Sequence, residues 1–151
     1  MELEDRVWLA CAIDTDGWVS LKEQKQMSKG KSYTYYLTFI GFHNNNREIV
    51  EKFAKLIDGK VHPNRGKNRV SWTTVISNRE KVTKILEEIL EYLIVKKDRA
   101  EYLIAYNQFR SDNPGDHTDK STRIDQDKAW WERYRQLFSP SKNSVQTEPM
   151  S

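Results

Sequence analysis

The 151-residue chain has a single cysteine, Cys11, which excludes an intrachain disulfide and any cysteine-based zinc cluster. No apolar run approaches the ~20 residues that a membrane-spanning helix requires. The first six residues, Met1-Glu2-Leu3-Glu4-Asp5-Arg6, are acidic and have no apolar stretch behind a basic region, which excludes a signal or transit peptide at this end. Six glycines and four prolines are too few for a collagen-like or low-complexity chain. A lone histidine such as His62 or His117 is read as a surface residue rather than a ligand. What remains is a chain 37% hydrophobic and 31% charged, apolar enough to fold and of a length that fits one domain or one domain with a tail.

The net charge of +3 is small, but it is unevenly spread. Residues 18–36 carry Lys22, Lys25, Lys29 and Lys31 against Glu23, a balance of +3. Residues 60–73 carry Lys60, Arg65, Lys67 and Arg69 without an acid, a balance of +4, so the rest of the chain sums to −4. Two readings stand on charge alone: a positive sheet face for a polyanion, or solvated lysine-rich loops.

Periodicity orders the chain. Residues 4–14 read as a helix, with Leu3, Val7, Ala10 and Asp14 on one stripe and Trp8, Leu9, Cys11, Ala12 and Ile13 making the other sides apolar. Such a helix is buried on more than one side. Asp16-Gly17 stops it. Residues 18–26 alternate as a half-buried strand, with Val19 and Leu21 opposite Lys22, Gln24 and Gln26. A turn at 28–32 leads to a second strand over 33–43, whose core face is ambiguous because Leu37 and Phe39 fall in phase with His43; Tyr33, Tyr35 and His43 are weaker contact candidates. Ile49, Phe53, Leu56 and Ile57 then give a helix ending at Asp58-Gly59. A short strand over 60–62 is cut by Pro63, and a loop at 64–68 leads to a strand over 69–77. A helix follows over 79–92, and Asp98 with Glu101 reads as a capping box for another, 99–110. The order αββαββα marks an α+β fold on an antiparallel sheet, a loose internal duplication. The expected organisation is a core at 1–110, a polar linker at 111–121, an amphipathic helix at 122–138 through Ile124, Trp131 and Phe138, and a disordered tail at 139–151.

The stretch that carries chemistry is Leu9-Ala10-Cys11-Ala12-Ile13-Asp14-Thr15-Asp16-Gly17. It sets two carboxylates at the negative end of an apolar helix, where they gain nothing unless a cation is present. An ordinary buried helix ending in an Asp-Gly turn is the plain alternative for the dipeptide alone. The nine residues together resemble the motif of the LAGLIDADG homing endonucleases, with Leu9, Ala10, Ile13, Asp14, Asp16 and Gly17 matching. Cys11, Ala12 and Thr15 depart from it; Cys11 adds bulk at a helix contact. The resemblance extends over residues 4–110 through the element order, through Ile40-Gly41-Phe42-His43-Asn44 leading into a helix, and through Leu93-Ile94-Val95-Lys96-Lys97 before another.

The resemblance implies a saddle-shaped antiparallel sheet lying in the DNA major groove and metal-dependent hydrolysis of both strands of a long site. The acidic residue Asp16 would bind the catalytic divalent metal, usually Mg²⁺, with Mn²⁺ a substitute and Ca²⁺ binding without supporting cleavage. Only one motif is present, which implies a homodimer paired through the motif helices, at Leu9, Ala10 and Ile13, and a roughly palindromic target. Lys96, with Lys97 as the neighbouring candidate, matches the basic residue near the active-site solvent, its alternative being a solvated charge. Asn44 matches a water-orienting polar residue, its alternative being a helix N-cap. Strand alternation then assigns base and phosphate contacts to Lys22, Gln24 and Gln26 and to Arg69, Ser71 and Thr73, with Arg65 and Lys67 in the loop between.

The function expected is an intron-encoded, site-specific DNA endonuclease. The alternatives are an RNA maturase of the same fold acting on intron RNA, a regulator that binds DNA without cutting, and a metal-binding structural dimer. The expected location is intracellular and soluble, in a prokaryotic cytoplasm or an organelle matrix or stroma, without a membrane partner.

Overall fold

The computed structural model describes residues 1–114 and 120–138. Ten elements follow in chain order. They are α1 (Leu3–Thr15), β1 (Gly17–Ser28), β2 (Lys31–Asn44), α2 (Arg47–Ile57), β3 (His62–Arg65), β4 (Val70–Ile76), α3 (Arg79–Ile89), a 3₁₀ turn (Leu90–Tyr92), α4 (Lys97–Asp112) and α5 (Lys120–Phe138). The strands form one antiparallel sheet in the order β1-β2-β4-β3. The expected α+β order holds. No described helix is long and apolar enough to cross a membrane.

The β1–β2 hairpin is longer than its apolar pattern suggests. Pairing runs without a bulge from Gly17↔Phe42 to Ser28↔Lys31. Backbone pairing continues through the polar ends, where side-chain alternation gives no signal. The two-residue turn holds Lys29 and Gly30 at φ of 51° and 75°, the left-handed pair that matches strand twist in a tight hairpin. The unbroken register settles the core face of β2: Tyr36, Thr38, Ile40 and Phe42 are buried with Val19 and Leu21, while Leu37, Phe39 and His43 point the other way. Gly41 is on that other face beneath Trp18. A Cβ there would stand 2.1 Å from the indole, so only glycine lets the ring lie flat on the strand.

Three element boundaries differ from the sequence expectation. Pro63 does not cut the third strand but lies within β3. This is an edge strand, the place in a sheet where proline is accommodated because one side of the strand has no ladder to complete. Asp98 is not an N-cap: α4 starts at Lys97, capped by Lys96 without a side-chain bond, and Asp98 sits in the first turn. Asn46 and Asn78 are the side-chain N-caps, accepting from the amides of Ile49 and Lys81. Of the expected linker, residues 111 and 112 belong to α4 and 120 and 121 to α5, and 115–119 lie outside the described residues, as does the 139–151 tail.

The C-terminal helix packs on the core. Its buried stripe runs through Asp127, Trp130, Trp131, Tyr134 and Phe138 rather than through Ile124, which is 41% exposed. Tyr134 donates to the Val19 carbonyl at 3.2 Å, and Trp131 lies against Tyr36. Asp127 accepts from the buried Tyr106 hydroxyl at 3.0 Å and pairs with Arg110 at 3.1 Å. Burial and the Asp127 carboxylate hold the Tyr106 hydroxyl far above the usual tyrosine range.

Candidate active site and nucleic-acid face

The site forms where α1 ends and β1 begins. Helix α1 has no basic residue in its last turn to offset the exposed carbonyls there. Lys96, eighty residues further on, fills that place. Its ammonium donates to the carbonyls of Ile13 at 2.6 Å, Asp14 at 3.4 Å and Gly17 at 2.6 Å. Three donors meet three acceptors. Burial lowers the Lys96 pKa from the ordinary lysine value, against a smaller opposing pull from Asp14. Lys96 is thus neither a purely solvated charge nor a free active-site cation: it holds the backbone on which Asp16 stands.

The two motif carboxylates have different tasks. Asp14 accepts the amides of Ile94, Val95 and Lys96 at 2.7, 3.2 and 3.0 Å. It clamps the loop before α4 to the end of α1. Asp16, the C-cap of α1, is exposed, and among the described residues its one side-chain hydrogen bond is from Asn44 Nδ2 at a long 3.5 Å. Asn44 also accepts the Asn46 amide at 2.8 Å, so Asn44 orients the chain entering α2 while Asn46 does the capping. Asp16, Asn44 and Lys96, three residues chosen from sequence, therefore converge.

The residues assigned to helix pairing do not face outward. Leu9, Ala10 and Ile13 are each 0% exposed within the chain's own core, so no surface is left for a partner to touch. The correction follows from a helix apolar on both sides: the inward side is taken by β1, β2, α2 and α3. The outward apolar positions are Leu3, 58% exposed, Val7, 46% exposed, and Cys11, spaced by four on one stripe. Ile94 and Val95, pinned by Asp14, are exposed apolar residues beside the same helix end. The i, i+4, i+8 spacing was readable in the sequence; its orientation was not.

The open face of the sheet carries most of the expected contact residues. Lys22, Gln24 and Gln26 continue in phase with Trp18 and Ser20, on the face opposite the buried Val19 and Leu21 of β1. Ser71 and Thr73 lie on the same side of β4; Ser71 Oγ is 2.8 Å from His43 Nε2, and Thr73 pairs with Asn64. Lys67 and Arg69 are exposed in the β3–β4 turn, where the Arg69 carbonyl accepts the Gly66 amide at 3.0 Å. Arg65 departs from this group. It pairs with Val70, and strand alternation puts it with Pro63 and Trp72 on the opposite side from Ser71 and Thr73. Trp18 on this open face was missed from sequence; the adjacent Gly41 was the available signal.

A profile described as LAGLIDADG endonuclease matches residues 10–110, two thirds of the chain and the whole of the site. The chain belongs to the LAGLIDADG endonuclease family. It is accordingly a DNA-cleaving hydrolase of the homing type. No curated protein sequence matches it. Solved structures match the fold at low identity. One is the homing endonuclease I-CvuI in complex with the I-CreI target in the presence of Mg, at 15% identity and a TM-score of 0.71, covering 96% of this chain and 94% of that one. Another is the homing endonuclease I-TnaI, at 16% identity and 0.65, covering 97% and 95%. A third is the group I intron-encoded I-CeuI complexed with DNA, at 16% identity and 0.66, covering 93% and 70%.

The chemistry of the donor set fits a hard divalent ion. Asp16 keeps one carboxylate oxygen without a partner among the described residues, and those residues contain no group of three His, Cys, Asp or Glu that could cage a metal. A hard divalent ion can be held by so sparse a set when waters and phosphate oxygens complete its shell.

Proposed function

We propose that two copies of this LAGLIDADG chain pair through α1 and cut both strands of a long, roughly palindromic DNA site by Mg²⁺-assisted hydrolysis. The observation that carries this is the outward stripe Leu3-Val7-Cys11 ending beside the exposed, nearly unpartnered Asp16. Packing that stripe against its own twofold mate brings the Asp16 of each copy to the axis, between the two strands to be cut. The pair of carboxylates would hold the metal, with water and phosphate oxygens completing the shell. Bound there, Mg²⁺ neutralises phosphate charge and favours deprotonation of water. Mn²⁺ should substitute, and Ca²⁺ should occupy the site without supporting cleavage.

The protein's own part is positioning. Lys96 fixes the Gly17 carbonyl, Asp14 fixes the loop that carries Lys96, and the Asn44 amide holds Asp16 from the other side. Lys22, Gln24, Gln26, Ser71 and Thr73 offer major-groove donors and acceptors from the open face, while Lys67 and Arg69 reach phosphates or base edges from the β3–β4 turn. Arg65, on the helix side, is limited to the flanking backbone.

The test is Asp16→Asn, assayed for nicking and double-strand cleavage in Mg²⁺ beside a gel shift in Ca²⁺. Cleavage should fall by at least about a hundredfold, as expected when a metal ligand worth several kcal/mol is removed. Binding should be unchanged or tighter, because a negative charge near phosphate is gone. Full cleavage by the variant would remove Asp16 from the mechanism. Tight binding of intron RNA with no DNA cleavage by the unaltered protein would overturn the endonuclease reading in favour of a maturase.

A further inference from the structure

The open face that the proposed function lays against DNA is not uniformly polar. Four successive positions of β2 on that face are Tyr33, Tyr35, Leu37 and Phe39. Their partners on β1 are Gln26, Gln24, Lys22 and Ser20. Apolar and aromatic residues on a sheet surface ordinarily pair across strands with one another. Here they do not: none of the four has an apolar neighbour opposite. Tyr33 is 50% and Tyr35 39% exposed, and Leu37 and Phe39 are half-buried. The result is an apolar stripe along β2 that Trp18 of β1 joins only past Phe39 and that polar β1 side chains flank elsewhere, with the Lys22 ammonium resting 5.5 Å from the centre of the Phe39 ring.

A phosphate backbone has no use for such a stripe, and neither do the polar atoms of base edges. The apolar group that the major groove does present is the thymine C5 methyl. The spacing matches as well. Residues two apart on a strand lie about 6.8 Å apart, and two base-pair steps span about the same distance. We propose that Leu37 and Phe39 read thymine methyls two base pairs apart in each half-site, with the Tyr35 ring extending the stripe outward. Lys22, held over Phe39, supplies the charged contact beside the same step. Specificity in this part of the site then comes from methyl contact, and the glutamines Gln24 and Gln26 read the outer positions through hydrogen bonds.

This inference rests on the open face being the DNA surface, and the experiment separates the two. The full chain is used in Ca²⁺ to select duplexes from a random pool, and each thymine of the selected site is then replaced singly by deoxyuridine, which lacks only the methyl group. Gel-shift titration of the unaltered protein should show the Kd rising about fourfold at two positions per half-site, two base pairs apart, the equivalent of ~0.8 kcal/mol per buried methyl. Leu37→Ala should abolish the thymine preference at one of those positions and Phe39→Ala at the other. A selected site without paired thymines, or one in which every replacement leaves the Kd within twofold, overturns the methyl reading while leaving DNA recognition intact. A thymine preference that survives in both alanine variants overturns the assignment to these residues. Failure of the pool to enrich any duplex overturns the DNA surface itself. Because the methyl is removed from the DNA, the central measurement needs no variant that has to fold.

Discussion

Helix α1 has two apolar faces with opposite destinations. On the inward face Leu9, Ala10 and Ile13 are completely covered by this chain's own sheet and helices, and the face ends at Asp14, whose carboxylate is filled by three amides of the same chain. On the outward face Leu3, Val7 and Cys11 are exposed, and the face ends beside Asp16, which has one long contact with Asn44. The two carboxylates are two residues apart and chemically identical. One is consumed in holding the fold together and the other keeps an oxygen without a partner among the described residues. The lesson is that a motif residue's role follows from how many of its hydrogen-bonding sites the chain has already filled. Stability and chemistry share nine residues by being assigned to opposite sides of one helix.

That contrast can be broken from either side. The largest effect is expected outward. In the proposed dimer Val7→Glu sets two carboxylates against each other at the twofold, so dimerisation should weaken by at least a hundredfold, or ~2.8 kcal/mol, while the protomer keeps its fold. Sedimentation should show monomer at concentrations where the unaltered protein is dimeric; a dimer of unchanged affinity would mean that α1 is not the interface. Inward, Asp14→Asn replaces a carboxylate that accepts three amides with a group that can accept on one oxygen only. It should lower unfolding stability by about 2–4 kcal/mol, since hydrogen bonds to a charged group are worth ~1.5–3 kcal/mol each and the loop can partly relax. Denaturant titration at fixed dimer concentration reads this. Ala10→Leu adds three carbon atoms at a closed position and should cost about 1–3 kcal/mol of stability. Its effect on dimer affinity should be slight, the reverse of Val7→Glu.

The smallest effect sharpens the role of Lys96. Its ammonium is held below the ordinary lysine pKa by burial. Between that lowered value and the ordinary one, the unfolded chain binds more protons than the folded chain, so this group makes stability rise with pH across that alkaline window. Lys96→Met should remove that rise. It should also leave the Ile13 and Gly17 carbonyls without their partner, and so reduce cleavage through displacement of Asp16. If cleavage falls while thermal stability and its alkaline slope are unchanged, Lys96 acts on the reacting atoms and its positioning role is wrong.

Much of this was written in local pattern. The nine-residue motif, the glycine stops at Gly17 and Gly59, the helical spacing of Val82, Ile85, Leu86 and Ile89, and the two basic strand segments all rest on residues close in sequence. The motif helix and the glycine stops formed as expected, the helix from 79 ended three residues early in a 3₁₀ turn, and the strand expected at 60–62 formed at 62–65. Three assignments could not come from local pattern. Leu37 and Phe39 alternate as well as Tyr36, Thr38 and Ile40 do, so the face of β2 was decided by its unbroken register with β1. Pro63 looked like a strand breaker, and only the outer position of β3 in the sheet made it harmless. The Asn44–Asp16 and Lys96–Gly17 contacts join residues 28 and 79 positions apart.

The sequence by itself determined the family motif, the order of elements, the acidic pair at the end of α1 and the positive charge of the strands, because each of these is carried by residue type and short spacing. The tertiary structure decided which apolar face of α1 stays outside, which of Asp14 and Asp16 is spare, and which side of β2 stays open. A helix or strand that is apolar on both sides satisfies local periodicity in either orientation. The choice between them falls to packing against residues far along the chain: the β1 register for the sheet, and the amides of 94–96 for the carboxylates.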